Sequence, residues 1–336
     1  MSMTKRERFQ RFLENKPVDR VPVAFFHHFC GPAEWGKGMV NPDAFERNII
    51  GHKLAREKFD PDVAKIMNDT LMIMPVDASF VKTAADLRNI KGPGPEFYEK
   101  TLELTKRAAE FYKDSDAPLY ATGFSPMMAL KTGVDRGAKE PRLPGFLKED
   151  PEAFMTALNT LAEAIMKLNE MLIKEGGVDG IYFSVNNQAH FIPDELFAKY
   201  VAPVDIKVME HANKLSSINL LHICGYHGLG NNLELFKDYP AAAYNIAVYA
   251  EGVSLSEGRK LFGGKPVFGG YAQDTVIYTG TKEEVKEAAW KILDECGQVG
   301  IMLGADCTVP TDIDDSRLEW VREAAIEYAE KHPVEL

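Results

Sequence analysis

The sequence predicts an α/β fold, a single (β/α)8 or TIM barrel with an N-terminal helical extension, covering residues 1–336 as one domain. Eight short apolar runs recur along the chain, and a helical pattern follows each of them, as in a parallel barrel. A polar helical segment over residues 5–13 precedes the first run and is expected to cap the bottom of the barrel. A chain of 336 residues is long for one domain but common for a barrel of this class.

The first half of the chain is predicted to supply four strands, within RVPVAFF, VAKIMND, PLYAT and GIYFSV. Apolar residues at helical spacing predict helices over residues 42–59, 97–112 and 150–175. The last of these ends at Gly176, a residue type common at helix C-termini. Residues 71–95 are expected to be irregular. Residues 133–144, rich in Gly, Pro and charge, are expected to form a surface loop.

The second half is predicted to supply the other four strands, within SINLLHIC, AAYNIAV, PVFGGY and QVGIMLG. The predicted helices cover residues 193–215, 233–236, 254–261, 281–296 and 316–328. Thr281 with acidic residues behind it is a typical helix start, and Pro193 suits a first helical turn. Strand and helix therefore alternate to the end of the chain.

Composition excludes several classes of function. The net charge of −11 argues against nucleic acid or an anionic membrane as a partner, because both attract basic surfaces. No apolar segment approaches the ~20 residues that a membrane helix needs, and the first residues lack the apolar core of a signal peptide. Four cysteines in so long a chain make no disulfide framework. We therefore expect a cytoplasmic enzyme with reduced thiols.

A metal site is predicted where LLHICG closes the fifth strand. His222 and Cys224 lie two positions apart, so in an extended strand their side chains point to the same side. Cys307, in GADCTVP, follows the eighth strand and therefore ends at the same rim of the barrel. Each residue alone would more often be a buried Cys or a hydrogen-bonded core His. Together they favour Zn²⁺ with three protein ligands and an open fourth position, which is the catalytic arrangement.

The chain resembles the uroporphyrinogen decarboxylase superfamily through nearly its whole length. The resemblance rests on RERFQRFLENKPVDRVPV near the start and on LLHICG, PVFGGYAQDTVIYTGTKEEV and GADCTVP in the second half. That superfamily contains cofactor-independent porphyrinogen decarboxylases and zinc-dependent methyltransferases that use a corrinoid. The arginine-bearing segment with which the decarboxylases hold substrate carboxylates is FHHFCGPAEW here, with no Lys or Arg before Lys37. This departure favours the methyltransferase branch over decarboxylation of uroporphyrinogen.

The resemblance implies that His222, Cys224 and Cys307 hold the zinc. A fourth ligand is left open among Asp69, Glu251 and Asp274. It also implies a corrinoid (cobalamin) carried on a separate protein, because no cobalamin-binding domain is evident in this sequence. The expected function is the methyltransferase of a corrinoid-dependent demethylase, acting on a small methylated substrate, with methoxylated compounds as the first expectation. Alternatives are methyl transfer from methylcobalamin to coenzyme M, uroporphyrinogen decarboxylation, and a non-catalytic zinc-bound scaffold for a corrinoid protein. A homo-oligomer is compatible with the sequence.

Further residues are expected at the mouth of the barrel, where the strands end. His27 or His28 is predicted to exchange a proton with the substrate, with Asp69 as a further catalytic residue. The predicted substrate-binding residues are Phe26, Phe124, Asn186 and Tyr271. Hydrogen-bonded loop histidines, helix caps and core aromatics are the alternative interpretation of these residues. The predicted mouth is rich in Phe and Met and lacks Lys and Arg, which favours an uncharged or aromatic methyl donor.

Overall fold

A computed structural model describes residues 2–336 and contains one sheet of eight parallel strands. Neighbouring strands are hydrogen-bonded in the order β1, β8, β7, β6, β5, β4, β3, β2, so the sheet curls into a nearly closed barrel. This confirms the predicted (β/α)8 fold. The strands are β1 (Val23–Ala24), β2 (Ala64–Ile66), β3 (Leu119–Phe124), β4 (Gly180–Val185), β5 (Leu220–Ile223), β6 (Ala243–Ile246), β7 (Val267–Tyr271) and β8 (Ile301–Ala305).

The helices surround this barrel in chain order. They are α1 (Lys5–Leu13), α2 (Pro42–Lys58), α3 (Pro95–Ala109), α4 (Pro126–Asp135), α5 (Leu143–Glu149), α6 (Pro151–Glu175), α7 (Asp194–Leu196), α8 (Ala202–Asn213), α9 (Val248–Glu251), α10 (Leu255–Leu261), α11 (Val276–Thr279), α12 (Lys282–Cys296) and α13 (Ser316–Lys331). Between α7 and α8 the backbone forms one π-helical turn, Phe197–Val201. Within residues 2–336 no helix combines the length and the apolar character needed to cross a bilayer.

Successive residues of each strand alternate between two apolar layers. One set points outward and forms a core with the helices, including Leu221 and Ile223 of β5. The other set points into the barrel, including Leu220 of β5, Tyr182 of β4 and Phe268 of β7. Because side chains along a strand alternate with a period of two, the next inward positions of β5 are His222 and then Cys224.

Helix α1 closes the bottom of the barrel, as the sequence predicts. Phe9 and Phe12 pack into the inward-facing cluster, and the Phe9 ring contacts Tyr120 of β3 edge-on at 6.0 Å between centroids. The helix begins with a capping box in which Thr4 and Glu7 exchange side-chain-to-backbone hydrogen bonds. The open end of the barrel is therefore the end where the strands finish.

Asp62 joins β1 to β2 where the two strands form no ladder with each other. Its backbone N–H donates to the Val23 carbonyl at 3.0 Å, and its carboxylate accepts from the Val23 N–H at 2.8 Å. The same carboxylate is fully buried and accepts charged hydrogen bonds from Arg8 and Arg20. Arg8 lies on α1, so this ion cluster also fixes the bottom helix to the junction between β1 and β2.

The structure differs from the prediction in several local elements. The first strand is only two residues long, although His27 forms an additional bridge with Val309. The region expected as a loop over residues 133–144 contains the end of α4 and the start of α5. Helix α4 was missed because its turns carry Gly133 and few charges, whereas Ser125 caps its start by accepting from the Met128 N–H. The remaining strands and the long helix α6 lie close to their predicted positions.

Candidate metal centre

His222, Cys224 and Cys307 come together at the mouth of the barrel. One ligand atom from each residue lies within 4.8 Å of the other two. His222 is inward-facing on β5, Cys224 follows two positions later, and Cys307 is the second residue after β8. The parallel strands end at one rim, which explains why residues 83 positions apart in the chain, Cys224 and Cys307, meet there.

Asn245 fixes which nitrogen of His222 faces the other two ligands. The register of β5 and β6 places Asn245 beside His222, and their Nδ1 and Oδ1 atoms are 2.6 Å apart. The Asn245 amide nitrogen donates to the carbonyls of Phe268 and Ala305, so its oxygen must be the acceptor. His222 therefore donates through Nδ1–H and keeps the Nε2 lone pair available for a metal ion, the typical outer-shell arrangement of a histidine ligand.

The two cysteines share a hydrogen bond. The thiol of Cys224 donates to Cys307 and thereby holds the pKa of Cys307 well below its usual range. Burial acts in the opposite direction, while the charge of the Lys65 ammonium reinforces the lowering. One thiolate is thus already favoured in the pair. The donor set of one imidazole and two sulfurs fits Zn²⁺, which prefers these ligands and can retain an open position.

A cavity of about 140 Å³ adjoins the three ligands and lies below the loops after β1 to β5. Its walls are mostly apolar and rich in sulfur. They include Trp35, Met67, Met72, Phe124, Met128, Tyr182, Ser184 and Asn186. A cavity of about 150 Å³ in another protein holds benzene, so this pocket suits a compound of a few heavy atoms or one ring. We call it the substrate pocket.

Lys65 also lines the substrate pocket, which corrects the expectation that the mouth lacks Lys and Arg. The residue is 7% exposed on β2, and its ammonium lies 4.8 Å from the Phe26 ring centroid and 4.6 Å from the Tyr182 ring centroid. Burial lowers the pKa of Lys65 to about 8, against the opposing influence of Cys307, Asp69 and Cys224. A cation is therefore built into a pocket expected to be neutral.

His28 and Asp69 form a hydrogen-bonded pair beside the substrate pocket. His28 lines the pocket, and its Nδ1 lies 2.5 Å from the Asp69 carboxylate. Asp69 is fully buried and also accepts from the backbone N–H groups of Phe29 and Cys30. The His28 ring packs on Trp35 with 4.7 Å between centroids. The carboxylate thus orients His28 so that its other nitrogen remains free of this pair.

His27 points to the opposite side of the same strand extension. Its Nε2 pairs with Asp315 at 2.7 Å, and Lys58 contacts the second oxygen of that carboxylate at 3.3 Å. Alternation along the backbone separates it from His28, so the structure places only His28 at the substrate pocket.

Of the four predicted substrate-binding residues, two line the substrate pocket and two do not. Phe124 and Asn186 line the pocket. Phe26 is inward-facing but lies below the pocket, against Lys65 and Tyr182. Tyr271 points outward from β7, where its hydroxyl donates to the Val285 carbonyl and its ring packs near Phe25. Tyr271 therefore belongs to the layer between strands and helices and does not line the pocket.

The acidic residues considered as a fourth ligand are engaged elsewhere. Asp69 holds His28, and Glu251 accepts two hydrogen bonds from Asn231. Asp274 is exposed at the edge of a wider cavity of about 590 Å³, which lies under the loops after β5 to β8. This wide cavity shares Tyr226 and Cys307 with the substrate pocket, and small residues line much of it: Gly225, Gly228, Ala247, Ala250 and Ala272. Cys307 thus lies between the two cavities, whereas His222 and Cys224 line only the substrate pocket.

Fold and site together define a (β/α)8 barrel protein with a three-donor His/Cys site at the carboxyl ends of its strands. The family model of uroporphyrinogen decarboxylase matches residues 64–328. The chain belongs to the uroporphyrinogen decarboxylase family.

Individual relatives cover almost the whole chain at low identity. A methylcobamide:CoM methyltransferase, MtbA, of Methanosarcina acetivorans is 21% identical over 97% of this chain and 98% of its own. A methyltransferase from Methanosarcina mazei has a similar structure, with a TM-score of 0.73, 17% identity and coverage of 97% of this chain and 99% of its own. A B12-independent methionine synthase from Shewanella sp. W3-18-1 has a TM-score of 0.58 at 16% identity, covering 93% and 98%. These structures show the common fold.

Proposed function

We propose that this protein is a zinc-dependent methyltransferase that moves a methyl group between a small substrate and a corrinoid carried by another protein. The observation that carries the proposal is the convergence of His222, Cys224 and Cys307, with Asn245 holding the imidazole in the ligating tautomer. Zinc at these three residues would supply a Lewis acid with a free coordination position for an oxygen or sulfur of the substrate. The similarity to a methylcobamide:CoM methyltransferase supports the same chemistry.

The chain's own residues have separate roles in this proposal. The substrate pocket holds a small compound against Met67, Met72 and Phe124, which exclude water from the reacting atoms. His28 exchanges a proton with the substrate heteroatom, and Asp69 keeps His28 oriented for that exchange. The wide cavity, with its small-residue lining, gives a flat macrocycle access to the other side of the site.

The corrinoid, when bound, would supply the nucleophile that takes a methyl group from a donor, or the methyl group that passes to an acceptor. A methyl ether donor would lose its carbon–oxygen bond with the electron pair staying on oxygen, and His28 would give that oxygen a proton. A thiol acceptor would lose its proton to His28 and form the sulfur–carbon bond with its own electron pair, while the pair of the bond broken in the donor would stay with the corrinoid. Demethylation of a methoxylated compound is the first candidate. Methyl transfer to coenzyme M is the second, favoured by the relative whose name specifies that acceptor.

A corrinoid absorbance assay tests the proposal. Zinc-loaded protein is mixed with cob(I)alamin and a panel of methoxylated arenes, and in separate reactions with methylcobalamin and coenzyme M. Formation or loss of the methylcobalamin spectrum is expected in at least one direction and is expected to require zinc. Conversion of uroporphyrinogen to coproporphyrinogen, without any methyl transfer, would overturn the proposal and favour the decarboxylase alternative. Zinc binding without either reaction would favour the scaffold alternative.

A further inference from the structure

The ammonium of Lys65 is buried without a carboxylate partner. Among residues 2–336, no acidic side chain lies within ion-pair distance of it, whereas the buried Arg8 contacts both Asp19 and Asp62. The Lys65 ammonium contacts two aromatic faces and lies 3.5 Å from the sulfur of Met67. Aromatic faces and a thioether compensate a buried charge only in part. This position is therefore energetically unfavourable unless an anion completes it.

The nearby negative groups are committed to other contacts. Asp69 accepts from His28 and from two backbone N–H groups. Cys224 and Cys307 face each other at the metal site. An anion that reaches Lys65 must therefore come from the substrate pocket, which Lys65 lines.

The position of Lys65 relative to the metal site limits the size of the molecule that could bear this anionic group. The Tyr182 ring contacts both, with its centroid 4.6 Å from the Lys65 nitrogen and 5.2 Å from the centre of the His222 ring. Lys65 and His222 thus share one aromatic neighbour. A molecule that touches both needs its acidic group only a few bonds from its reacting atom, which agrees with a cavity of about 140 Å³.

We propose that Lys65 binds the acidic group of the substrate, so that the methyl acceptor or donor is a short-chain compound bearing a sulfonate or carboxylate. This assignment rests on the proposed function and specifies its substrate class. It replaces the expectation of an uncharged aromatic donor, since a neutral compound would bury the Lys65 ammonium further and leave it unpaired.

The test measures binding, independently of methyl transfer. Isothermal titration calorimetry compares mercaptoethanesulfonate and mercaptopropionate with the neutral mercaptoethanol on zinc-loaded protein. The proteins are the wild type, Lys65→Met, Lys65→Arg and the control Lys131→Met. Lys131 also lies over an aromatic ring, that of Phe191 at 3.9 Å, but belongs to α4 and does not line the substrate pocket.

The wild type is expected to bind the acidic thiols roughly tenfold or more tightly than mercaptoethanol, as expected for a charged hydrogen bond. Lys65→Met should abolish this preference by weakening the binding of the acidic thiols, with zinc content unchanged; Lys65→Arg and Lys131→Met should retain the preference. Equal binding of acidic and neutral thiols by the wild type would overturn the proposal, even if Lys65→Met failed to fold. A preference that survives in Lys65→Met would overturn it as well.

The proposed function can fail separately. A preference for acidic thiols that depends on Lys65, without transfer of any methyl group to or from cobalamin, would support the binding role and contradict the methyltransferase. Methyl transfer from neutral methoxyarenes at equal rates in the wild type and Lys65→Met would support the methyltransferase and contradict the role of Lys65.

Discussion

At the scale of single residues, the candidate metal site depends on the three donor residues and equally on the side chains that orient them. Asn245 has every polar atom engaged: its amide nitrogen donates to two carbonyls, and its oxygen accepts from His222 and from the Tyr182 hydroxyl. A metal ion would therefore meet an imidazole that cannot rotate and two sulfurs that already face each other. Such preorganisation favours tight binding of one ion.

The first residue-scale prediction concerns the metal ligands. Cys224→Ser and Cys307→Ser should each reduce bound zinc from about one ion per chain to a small fraction, because a serine hydroxyl is a poor zinc ligand. Both variants should keep the wild-type circular dichroism spectrum, since the cysteines lie at the mouth and outside the packed layers. Metal analysis after dialysis gives the result. Cys296→Ser, outside the site on α12, is the matched control and should retain zinc. Full zinc retention in both ligand variants would contradict the site.

The second residue-scale prediction separates two adjacent histidines. His28→Ala should lower the rate of methyl transfer about 10²-fold or more, because a positioned acid–base group contributes roughly that amount. His27→Ala should leave the rate close to that of the wild type, because His27 faces Asp315 on the other side of the backbone. Steady-state kinetics with zinc content checked in both variants decides the matter. Equal losses in the two variants would remove the proton role from His28.

The sequence predicted that His222, Cys224 and Cys307 lie together, as they do in the structure, but it did not identify all of the residues around them. His222, Cys224 and Cys307 were found because their residue types and strand-end positions are distinctive. Lys65 was missed because VAKIMND was treated only as an apolar run, although counting every second residue places Lys65 and Met67 inward. The same counting separates His28 from His27. Asn245 required the register between β5 and β6, which the sequence does not specify.

At the scale of secondary structure, β1 and β2 are not joined by a ladder of backbone hydrogen bonds, and side chains connect the two strands instead. We call this junction the seam. Strand β1 has only two residues, so few backbone hydrogen bonds are available there. Asp62 supplies two contacts to Val23 and receives Arg8 from α1 and Arg20 from the preceding turn. Strand lengths and the start of α4 were not predictable from apolar periodicity, because such short elements are determined by these tertiary contacts.

The element-scale prediction is that Asp62→Asn destabilises the fold by about 3 kcal/mol or more, since it leaves buried guanidinium groups undercompensated. Asp114→Asn, which breaks an exposed pair with Arg56, is the control and should cost less than about 1 kcal/mol. Urea unfolding at pH 7 measures both changes. A cost for Asp62→Asn no larger than that of the control would show that the seam does not depend on this carboxylate.

The same residue gives a pH dependence with a defined sign. Burial raises the pKa of Asp62, but the hydrogen bonds from Arg20 and the charges of Arg20 and Arg8 outweigh burial, and the net pKa is lowered. A carboxyl group with a lowered pKa in the folded state stabilises the fold above its unfolded pKa of about 3.9, and this contribution is lost as the pH falls through the folded value. The stability difference between the wild type and Asp62→Asn should therefore shrink on acidification below about pH 4.

At the scale of the whole molecule, the barrel presents two cavities that meet at Tyr226 and Cys307. The substrate pocket lies under the loops after β1 to β5 and contains Lys65 and His28. The wide cavity lies under the loops after β5 to β8 and is larger and more polar. Methyl transfer needs a small molecule and a large corrinoid on opposite sides of one carbon atom. Under the proposed function, the two unequal cavities of the barrel mouth would provide this geometry, with the corrinoid in the larger one.

The whole-molecule prediction is a crossed pair of tryptophan substitutions. Ala272→Trp narrows the wide cavity and should raise KM for methylcobalamin at least tenfold, because about one well-packed contact with the corrinoid is lost. The affinity for mercaptoethanesulfonate, measured by calorimetry, should stay unchanged. Met72→Trp narrows the substrate pocket and should weaken binding of that thiol while leaving KM for methylcobalamin nearly constant. Both residues are half-buried, so both variants are expected to fold, and thermal unfolding checks this. If the two substitutions affect both ligands alike, the cavities act as one binding site. If Ala272→Trp weakens only the binding of the thiol, the thiol occupies the wide cavity and the corrinoid occupies the substrate pocket.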